Sequence, residues 1–385
     1  MPEFVTSNYS GVYKRAKELY NDNKFKDALS MLESVVQNDK ENIEAHYLLG
    51  ECYFEGKGTT KNFRKAFDLY YYAAQQKNID ASYRLGLCYL EGLGVRQDYT
   101  QSVAWFTEAA KFGHPMSQYY LGLAYMNGQG ITKDIPRAIQ WLVHAAKYGI
   151  VNAQKNAAIC LEMLDKKRQA SILFLAAANN KDAYSAYKIA EYYASGQDIN
   201  KCDELANKFF EEAALAGYQD AQNKLAYRLY YGNGIEQSTN KAVYWWIKAS
   251  NADCADAQYR LGLCYCNGDG ILKDINQAVT WWKKASSNGS IEAMLSLAQG
   301  YLDDTIKSGG DAEESKLWWT KAAEAGNEYA MYKLGSCFEY GVGTTEPNLY
   351  EAYRWYKLSA ENGYEPAKEE LKNFKIKSKK IKKIN

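Results

Sequence analysis

The chain has 385 residues, and its 47 basic and 46 acidic side chains give a formal net charge of +1. This balance excludes a global electrostatic field for nucleic acid or a membrane surface. Residues 1–20 lack the apolar run of a secretory signal, and no stretch approaches the roughly 18 apolar residues of a membrane span, so we expect a soluble, cytoplasmic protein.

The N-terminal region predicts a short tail, residues 1–8, followed by a first helical repeat, residues 9–43. Small and large apolar residues alternate there with the spacing of a tetratricopeptide repeat, which this segment resembles. The residues that carry this spacing are Ala16, Leu19, Tyr20, Phe25, Ala28, Leu32 and Val35.

From residue 44 to residue 363, one small residue recurs at a nearly constant spacing and aligns nine repeats. It often follows a leucine, and six of the eight spacings are 36 residues. A fixed period of this length is typical of stacked helical repeats, so we expect one elongated unit. The aligned residues are Gly50, Gly86, Gly122, Ala158, Ala190, Ala226, Gly262, Ala298 and Gly335.

Each repeat predicts two helices joined by a glycine-rich turn. The first turn glycine, such as Gly92, should end the first helix with a positive φ, and a second glycine follows two residues later. Asp98, Asp134 and Asp274 are predicted to accept backbone N–H bonds at the start of the second helix. Paired glycines can also bind phosphate, but these turns lack the lysine and threonine of a P-loop.

Two repeats depart from the pattern. The fourth, residues 151–182, is four residues shorter and has Leu164 to Arg168 in place of the turn glycines, which predicts a tight turn. The eighth, residues 291–327, has Asp303, Asp304 and Thr305 there, which predicts a longer turn of different shape. We expect the pitch of the array to change at both places.

The C-terminal region predicts a capping helix, residues 364–374, and a basic tail, residues 375–385. Lysines and glutamates occupy the places that would face a further repeat, as in a solvent-facing cap. From Lys368 to Asn385 there are eight lysines and two glutamates. The tail could bind an anionic membrane, serve as a nuclear address, contact RNA, or only solubilise the end of the chain.

Tryptophan and cysteine each recur at fixed places in the repeat. All nine tryptophans fall in second helices, which favours core packing over a stacking platform for single-stranded nucleic acid. Five of the eight cysteines follow the aligned small residue by two positions, which places them on different helices, too far apart for disulfides. Buried cysteine in a reducing compartment is the simpler interpretation.

The combined pattern resembles the Sel1-like repeat family, relatives of tetratricopeptide repeats. It consists of Leu-Gly-x-x-Tyr-x-x-Gly-x-Gly, an acidic residue, Ala-x-x-Trp and a double alanine, and it spans residues 44 to 363. The resemblance implies an all-α, right-handed superhelical solenoid of helix-turn-helix repeats. It also implies a long concave surface lined by the first helices.

By similarity to tetratricopeptide geometry, three places in each first helix should project into this surface. Tyrosine is common there and offers a large apolar area with a polar tip, as recognition surfaces require. The alternative is that several of these side chains pack between adjacent first helices. The predicted binding residues are Tyr47, Tyr83, Leu87, Leu90, Tyr119, Leu123, Met126, Tyr187, Asn223, Tyr227, Tyr230, Tyr259, Leu263 and Tyr332.

These features predict a non-enzymatic scaffold or adaptor that binds a peptide or protein segment on the concave face. We predict no cofactor, metal site or catalytic residue, because the three histidines lack ligands at metal-binding spacing and no nucleophile motif is present. An alternative is a lipid- or nucleic-acid-associated factor that acts through the basic tail. The resemblance adds a second alternative, the β-lactam binding or hydrolysis linked to some bacterial Sel1-like proteins.

Overall fold

The computed structural model describes the backbone of residues 3–306 and 310–381 and the side chains of residues 9–306 and 310–374. These residues form 21 α-helices and no strand, which confirms the predicted all-α repeat fold. The sequence predicts one elongated unit, but contacts between Cα atoms divide the chain into two, residues 1–185 and 186–385. In a repeat array each helix pair packs mainly on its neighbours rather than on one shared core.

In the first unit, helices alternate between first helices with odd numbers and second helices with even numbers, and each first helix packs on the second helix that follows it. The helices are α1 (Glu3–Asn21), α2 (Phe25–Asn38), α3 (Ile43–Glu55), α4 (Phe63–Gln75), α5 (Ile79–Glu91), α6 (Tyr99–Lys111), α7 (Pro115–Asn127), α8 (Ile135–Ala146), α9 (Val151–Met163) and α10 (Lys167–Asn179).

The second unit continues the same alternation. Its helices are α11 (Ala183–Ser195), which begins at the end of the first unit, α12 (Asp203–Leu215), α13 (Gln219–Tyr231), α14 (Thr239–Asn251), α15 (Ala255–Asn267), α16 (Ile275–Ser287), α17 (Ile291–Leu302), α18 (Ala312–Glu324), α19 (Glu328–Tyr340), α20 (Leu349–Glu361) and α21 (Glu365–Ile381).

The aligned small residue is small because a large side chain of the second helix covers it. A Cβ atom built on Gly86 would lie 2.4 Å from the ring of Phe106, and one on Gly262 would lie 2.4 Å from the indole of Trp282. Both Phe106 and Trp282 are buried. The first and second helices of a repeat therefore approach closely at this point, and a larger residue would separate them.

Core packing is confirmed for only some of the tryptophans. Trp246, Trp282, Trp318 and Trp319 are buried. The other five are half-buried and stand one position earlier in the second helix than the residue that covers the aligned small residue, a place at which Trp318 is buried. These five are Trp105, Trp141, Trp245, Trp281 and Trp355.

The two turn glycines have different roles. Gly92 ends α5 in the left-handed region, with φ +74°, and its backbone N–H donates to the carbonyl of Cys88, as predicted. Gly94 also has a positive φ, but a Cβ atom there would lie 2.2 Å from the carbonyl oxygen of Phe63, the first residue of α4. The second glycine thus lets the turn touch the preceding repeat, a role that the sequence analysis did not identify.

The predicted aspartate caps are confirmed. Asp98 Oδ1 accepts hydrogen bonds from the backbone N–H groups of Thr100 and Gln101, at 2.9 and 3.0 Å. Asp134 and Asp274 cap α8 and α16 in the same way. These carboxylates satisfy backbone donors that have no partner within the first turn of a helix.

The two irregular turns have the predicted lengths. In the fourth repeat only residues 164–166 separate α9 from α10, and Asp165 takes the positive φ of +55° that glycines provide elsewhere. In the eighth repeat residues 303–311 separate α17 from α18, with Asp304 at φ +66°. Residues 307–309 of this turn lie outside the described residues.

A repeated glutamine joins successive repeats. The side-chain amide of buried Gln222 donates to the carbonyl of Ala214 at 3.1 Å, and that of Gln258 donates to the carbonyl of Ser250 at 3.1 Å. In each case a first helix binds the last turn of the preceding second helix. Orphan carbonyl groups at a helix end are thereby satisfied.

The two ends of the chain are helical where described. Helix α1 begins at Glu3, within the segment predicted as a tail, and α21 covers the predicted cap and continues to Ile381. The predictions for the basic tail concern the side chains of residues 375–385, which lie outside the described residues. The division into a tetratricopeptide-like repeat, nine Sel1-like repeats, a cap and a tail stays a prediction.

All eight cysteines are free thiols, and all of them fall within the described residues. The five that share one repeat place, Cys52, Cys88, Cys160, Cys264 and Cys337, are buried. Burial raises the pKa of Cys88 to about 12, so this thiol stays protonated. The interpretation of these five cysteines as small buried residues is confirmed.

Candidate functional site

The predicted binding residues lie on first helices, and we call the surface that they form within each unit the first-helix surface. In the first unit they come from α3, α5 and α7, and in the second from α11, α13, α15 and α19. All of them are half-buried except Leu87, which is only 9% exposed and belongs to the core. Leu87 therefore offers little area to a partner.

Tyr83 is held in the first unit by an aromatic cluster. Its ring centre lies 4.5 Å from that of His114, 6.1 Å from that of Phe106 and 6.2 Å from that of Tyr120. Burial raises the pKa of Tyr83 to about 12, so its hydroxyl remains a neutral donor. Part of the Tyr83 side chain therefore packs against neighbouring rings, as the alternative interpretation expected, and its exposed part lies on the first-helix surface.

Tyr119 contacts fewer aromatic rings than Tyr83 does. Its ring centre lies 5.4 Å from that of Tyr120, and its hydroxyl accepts a hydrogen bond from the side-chain amide of Asn156 at 3.5 Å. Nearby, Leu90, Leu123 and Tyr120 line a small cleft of about 110 Å³. This part of the surface combines an apolar depression with a tyrosine at its side.

In the second unit, three of the predicted binding residues contact the carboxylate of Asp256, the indole of Trp246, or both. The side-chain amide of Asn223 and the hydroxyl of Tyr227 donate to Asp256 at 2.9 and 3.0 Å. The rings of Tyr227 and Tyr230 lie 5.6 and 5.3 Å from that of Trp246. Asn223 also accepts a hydrogen bond from Trp246, so its amide is committed within the protein.

Tyr187 and Tyr332 also combine packing with partial exposure. The ring centre of Tyr187 lies 5.1 Å from that of Tyr218, and its hydroxyl donates to Glu191 at 2.8 Å. The ring centre of Tyr332 lies 5.3 Å from that of Tyr364. These rings are fixed by their neighbours, so a ligand would meet a surface that is already ordered.

One polar cluster on the first-helix surface was missed by the sequence analysis. Glu51 is 7% exposed, accepts a hydrogen bond from the hydroxyl of Tyr70 at 2.6 Å and pairs with Arg84 at 2.5 Å. Glu51 stands where the neighbouring repeats have Leu87 and Leu123. A charged residue where the next two repeats have leucine was the available signal.

Among the described residues, no three or more His, Cys, Asp and Glu side chains are placed to hold a metal ion. None of the helices that the structure describes is both long enough and apolar enough to cross a membrane.

Comparison with known proteins identifies the class. Eight Sel1 repeats match this chain, at residues 43–78, 79–114, 115–147, 183–218, 219–254, 255–290, 291–327 and 328–364. The chain belongs to the Sel1 repeat family. The match omits the whole of the shortened fourth repeat, residues 151–182, although α9 and α10 form its helix pair.

Two solved structures are similar to this chain. A protective antigen of uropathogenic Escherichia coli, described as displaying an SLR fold, has a TM-score of 0.71 and 23% identity, over 97% of this chain and 90% of that one. This likeness shows the fold alone. A Sel1 repeat protein of Oxalobacter formigenes has 25% identity over 89% of both chains, with a TM-score of 0.46. No curated protein matches the sequence.

Proposed function

We propose that this protein is a non-enzymatic scaffold or adaptor that binds a peptide or protein segment on its first-helix surface. Repeat proteins of this class present extended surfaces for such interactions. The observation that carries the proposal is the row of half-buried tyrosines on successive first helices, which includes Tyr47, Tyr83 and Tyr119 in the first unit.

The energetics support a recognition role for these side chains. A tyrosine has few rotatable bonds, so little conformational entropy is lost when it contacts a partner, and its hydroxyl can still form hydrogen bonds. The rings of Tyr83 and Tyr332 are already held by aromatic neighbours. Preorganisation of this kind lowers the entropic cost of binding.

The test is capture of a partner by purified protein, followed by quantitative binding to variants. We expect Tyr119→Ala and Tyr259→Ala each to weaken binding by about 1–2 kcal/mol, typical of a contributing interface aromatic. The triple variant that adds Tyr83→Ala should weaken it further. Because Tyr83 also contacts three other rings, thermal unfolding must show that the triple variant remains folded.

The matched control replaces tyrosines that lie away from the first helices. Tyr148, in the turn after α8, and Tyr350, in α20, are 61% and 77% exposed. Tyr148→Ala and Tyr350→Ala should leave binding unchanged. Equal binding by folded Tyr119→Ala, Tyr259→Ala and wild-type protein would reject the first-helix surface as the binding site.

We also propose that the protein acts in a reducing compartment, the cytoplasm. The eight free cysteines support this proposal, because extracellular proteins rarely retain so many unpaired thiols.

A further inference from the structure

A cleft of about 390 Å³ opens in the second unit among α15, α17 and α19. We call it the α17 cleft. Aromatic side chains contribute much of its lining, and α17 provides polar groups. The cleft lies on the first-helix surface, because Tyr259, Leu295 and Gln299 occupy the repeat places that were predicted to project there. The residues that matter below are Tyr259, Trp282, Glu292, Asp303, Trp319 and Tyr329.

One buried donor in the α17 cleft has no acceptor. Trp319 is 1% exposed, and its indole N–H has no hydrogen-bond partner among the described residues. The equivalent indole of Trp246 donates to Asn223 at 3.1 Å, and that of Trp282 donates to the carbonyl of Tyr259 at 3.3 Å. A buried donor without a partner is destabilising, so a ligand acceptor at this point would be favourable.

The sequence explains why Trp319 lacks the side-chain acceptor that Trp246 has. In the eighth repeat, Leu295 occupies the place of Asn223, and leucine has no acceptor in its side chain. The same substitution puts a leucine where Tyr259 and Tyr332 stand in the neighbouring repeats. The position thus lacks both the acceptor and the tyrosine ring of its equivalents.

The charge of the cleft favours a cation. Glu292 and Asp303 are exposed carboxylates in its lining, and no basic residue lines it. Of the basic residues on the flanking first helices, Arg260 donates to Tyr227, and Lys333 lies 5.4 Å from the centre of the Tyr329 ring. Aromatic faces beside carboxylates are a suitable environment for a guanidinium or ammonium group.

From these observations we propose that the α17 cleft binds a basic side chain, arginine or lysine, of a peptide segment. Glu292 faces the cation, and the indole N–H of Trp319 donates to a carbonyl of the same segment. This inference rests on the proposed function, because it names the chemistry of the segment that the first-helix surface would bind.

The test follows the indole N–H signals of the full-length protein by ¹⁵N NMR during titration with two blocked tripeptides. One is acetyl-Ala-Arg-Ala-amide, and the other replaces arginine with citrulline, which has nearly the same shape and no charge. We expect the Trp319 signal, assigned with Trp319→Phe, to shift saturably with the arginine peptide. The citrulline peptide should bind more weakly.

Two variants separate the charge from the hydrogen bond. Glu292→Gln should lower the affinity for the arginine peptide by about two- to fivefold, the range for an exposed ion pair, and leave the affinity for the citrulline peptide unchanged. Leu295→Asn should lower the affinity for both peptides by about two- to tenfold. The new side-chain amide would accept the hydrogen bond of the Trp319 indole, as Asn223 does from Trp246, so the indole would no longer need an acceptor from the peptide. The control Glu204→Gln, on the exposed side of α12, should change neither affinity.

The proposal is overturned if the arginine peptide gives no saturable shift of Trp319, if both peptides bind equally, or if Glu292→Gln has no effect. Failure here is distinguishable from failure of the proposed function. A partner that binds wild-type protein and is lost in Tyr119→Ala, together with no tripeptide binding, would reject the α17 cleft and leave the first-helix surface supported.

Discussion

Gly92 and Gly94 show how one residue type meets two different demands within a single turn. Both have positive φ, where glycine has no steric cost, but only Gly94 also touches the backbone of the preceding repeat. The sequence pattern identifies the first demand, since glycine at a helix end is a general signal. It does not identify the second, since the contact is made by a residue about thirty positions earlier in the chain.

These two glycines provide a matched pair of substitutions. Gly92→Ala places a Cβ 3.5 Å from its nearest neighbour, so only backbone strain of about 1 kcal/mol is expected. Gly94→Ala adds a clash with the carbonyl of Phe63, and we expect it to lower the free energy of unfolding by about 2–4 kcal/mol. Urea unfolding measures both, and equal losses would contradict the contact.

The Glu51 cluster makes a second prediction at the residue scale. Arg84→Met leaves the buried carboxylate of Glu51 without its cation and should lower the free energy of unfolding by about 1–3 kcal/mol. This loss is smaller than for a fully buried pair, because the Arg84 side chain is partly exposed. Tyr70→Phe removes one buried hydrogen bond and should cost about 1 kcal/mol.

The control for the Glu51 cluster is an exposed ion pair on a second helix. Arg64 lies 3.4 Å from Asp68, and both side chains are more than half exposed. Arg64→Met should therefore change the free energy of unfolding by no more than about 0.5 kcal/mol. If Arg64→Met and Arg84→Met have the same effect, the buried cluster does not stabilise the fold.

At the scale of the helix, the position before the first helix is occupied by different residues in different repeats, and in several repeats this residue caps the helix. Asn42, Asn78 and Asn327 cap α3, α5 and α19 through their side-chain oxygens. His114 occupies the same place before α7, where Nδ1 accepts from the backbone N–H of Ser117 at 3.1 Å. Only a neutral imidazole can accept this bond.

The His114 cap predicts a pH dependence. Burial lowers the pKa of His114 below its ordinary value of 6.5, although Asp80 opposes the shift. The cap therefore contributes stability above the unfolded-state pKa, and this contribution is lost as pH falls through the lower folded-state pKa. Relative to His114→Asn, which keeps a cap that does not titrate, the wild-type protein should lose stability between about pH 7 and pH 5.

Thermal unfolding of the wild-type protein and the His114→Asn variant across this pH range measures the difference. The comparison cancels the other titrating groups, which the two proteins share. A difference in unfolding temperature that is independent of pH, or that favours the wild-type protein at low pH, would contradict the assigned cap.

Much of the element-scale structure was predictable because its causes are local. The aspartate caps, the glycine helix ends and the short turn near Asp165 follow from residues within one turn of the chain. The orphan indole of Trp319 was not predictable, because it depends on whether any group of the neighbouring helices accepts its hydrogen bond. The repeat alignment places Leu295 opposite Trp319, but only the structure shows that no other group accepts the hydrogen bond.

At the scale of the whole molecule, the thiols report on packing across the repeats. Five cysteines are buried, and only Cys202, Cys254 and Cys266 are half-buried. A thiol reagent should therefore react rapidly with at most three groups in the native protein and with eight in denaturant without a reductant. Rapid reaction of all eight in the native protein would contradict the packing, and fewer than eight in denaturant would indicate disulfides.

The general location of the candidate surface could be predicted, but the share of each side chain left for a partner could not. The repeat period places Tyr119 and Leu87 on first helices equally well, yet Leu87 is buried and Tyr119 is half-buried. This difference depends on the neighbouring helices that cover each position. Asn223 is a similar case, because its side-chain amide is already hydrogen-bonded to Trp246 and Asp256.

The most direct test of the central claim is photo-cross-linking from defined positions. A photoreactive phenylalanine analogue would replace Tyr119 or Tyr259 on the first helices, or Tyr148 or Tyr350 as exposed controls. The first-helix surface predicts a discrete cross-linked partner from positions 119 and 259 and none from positions 148 and 350. Cross-linking confined to the controls, or equal at all four positions, would contradict it.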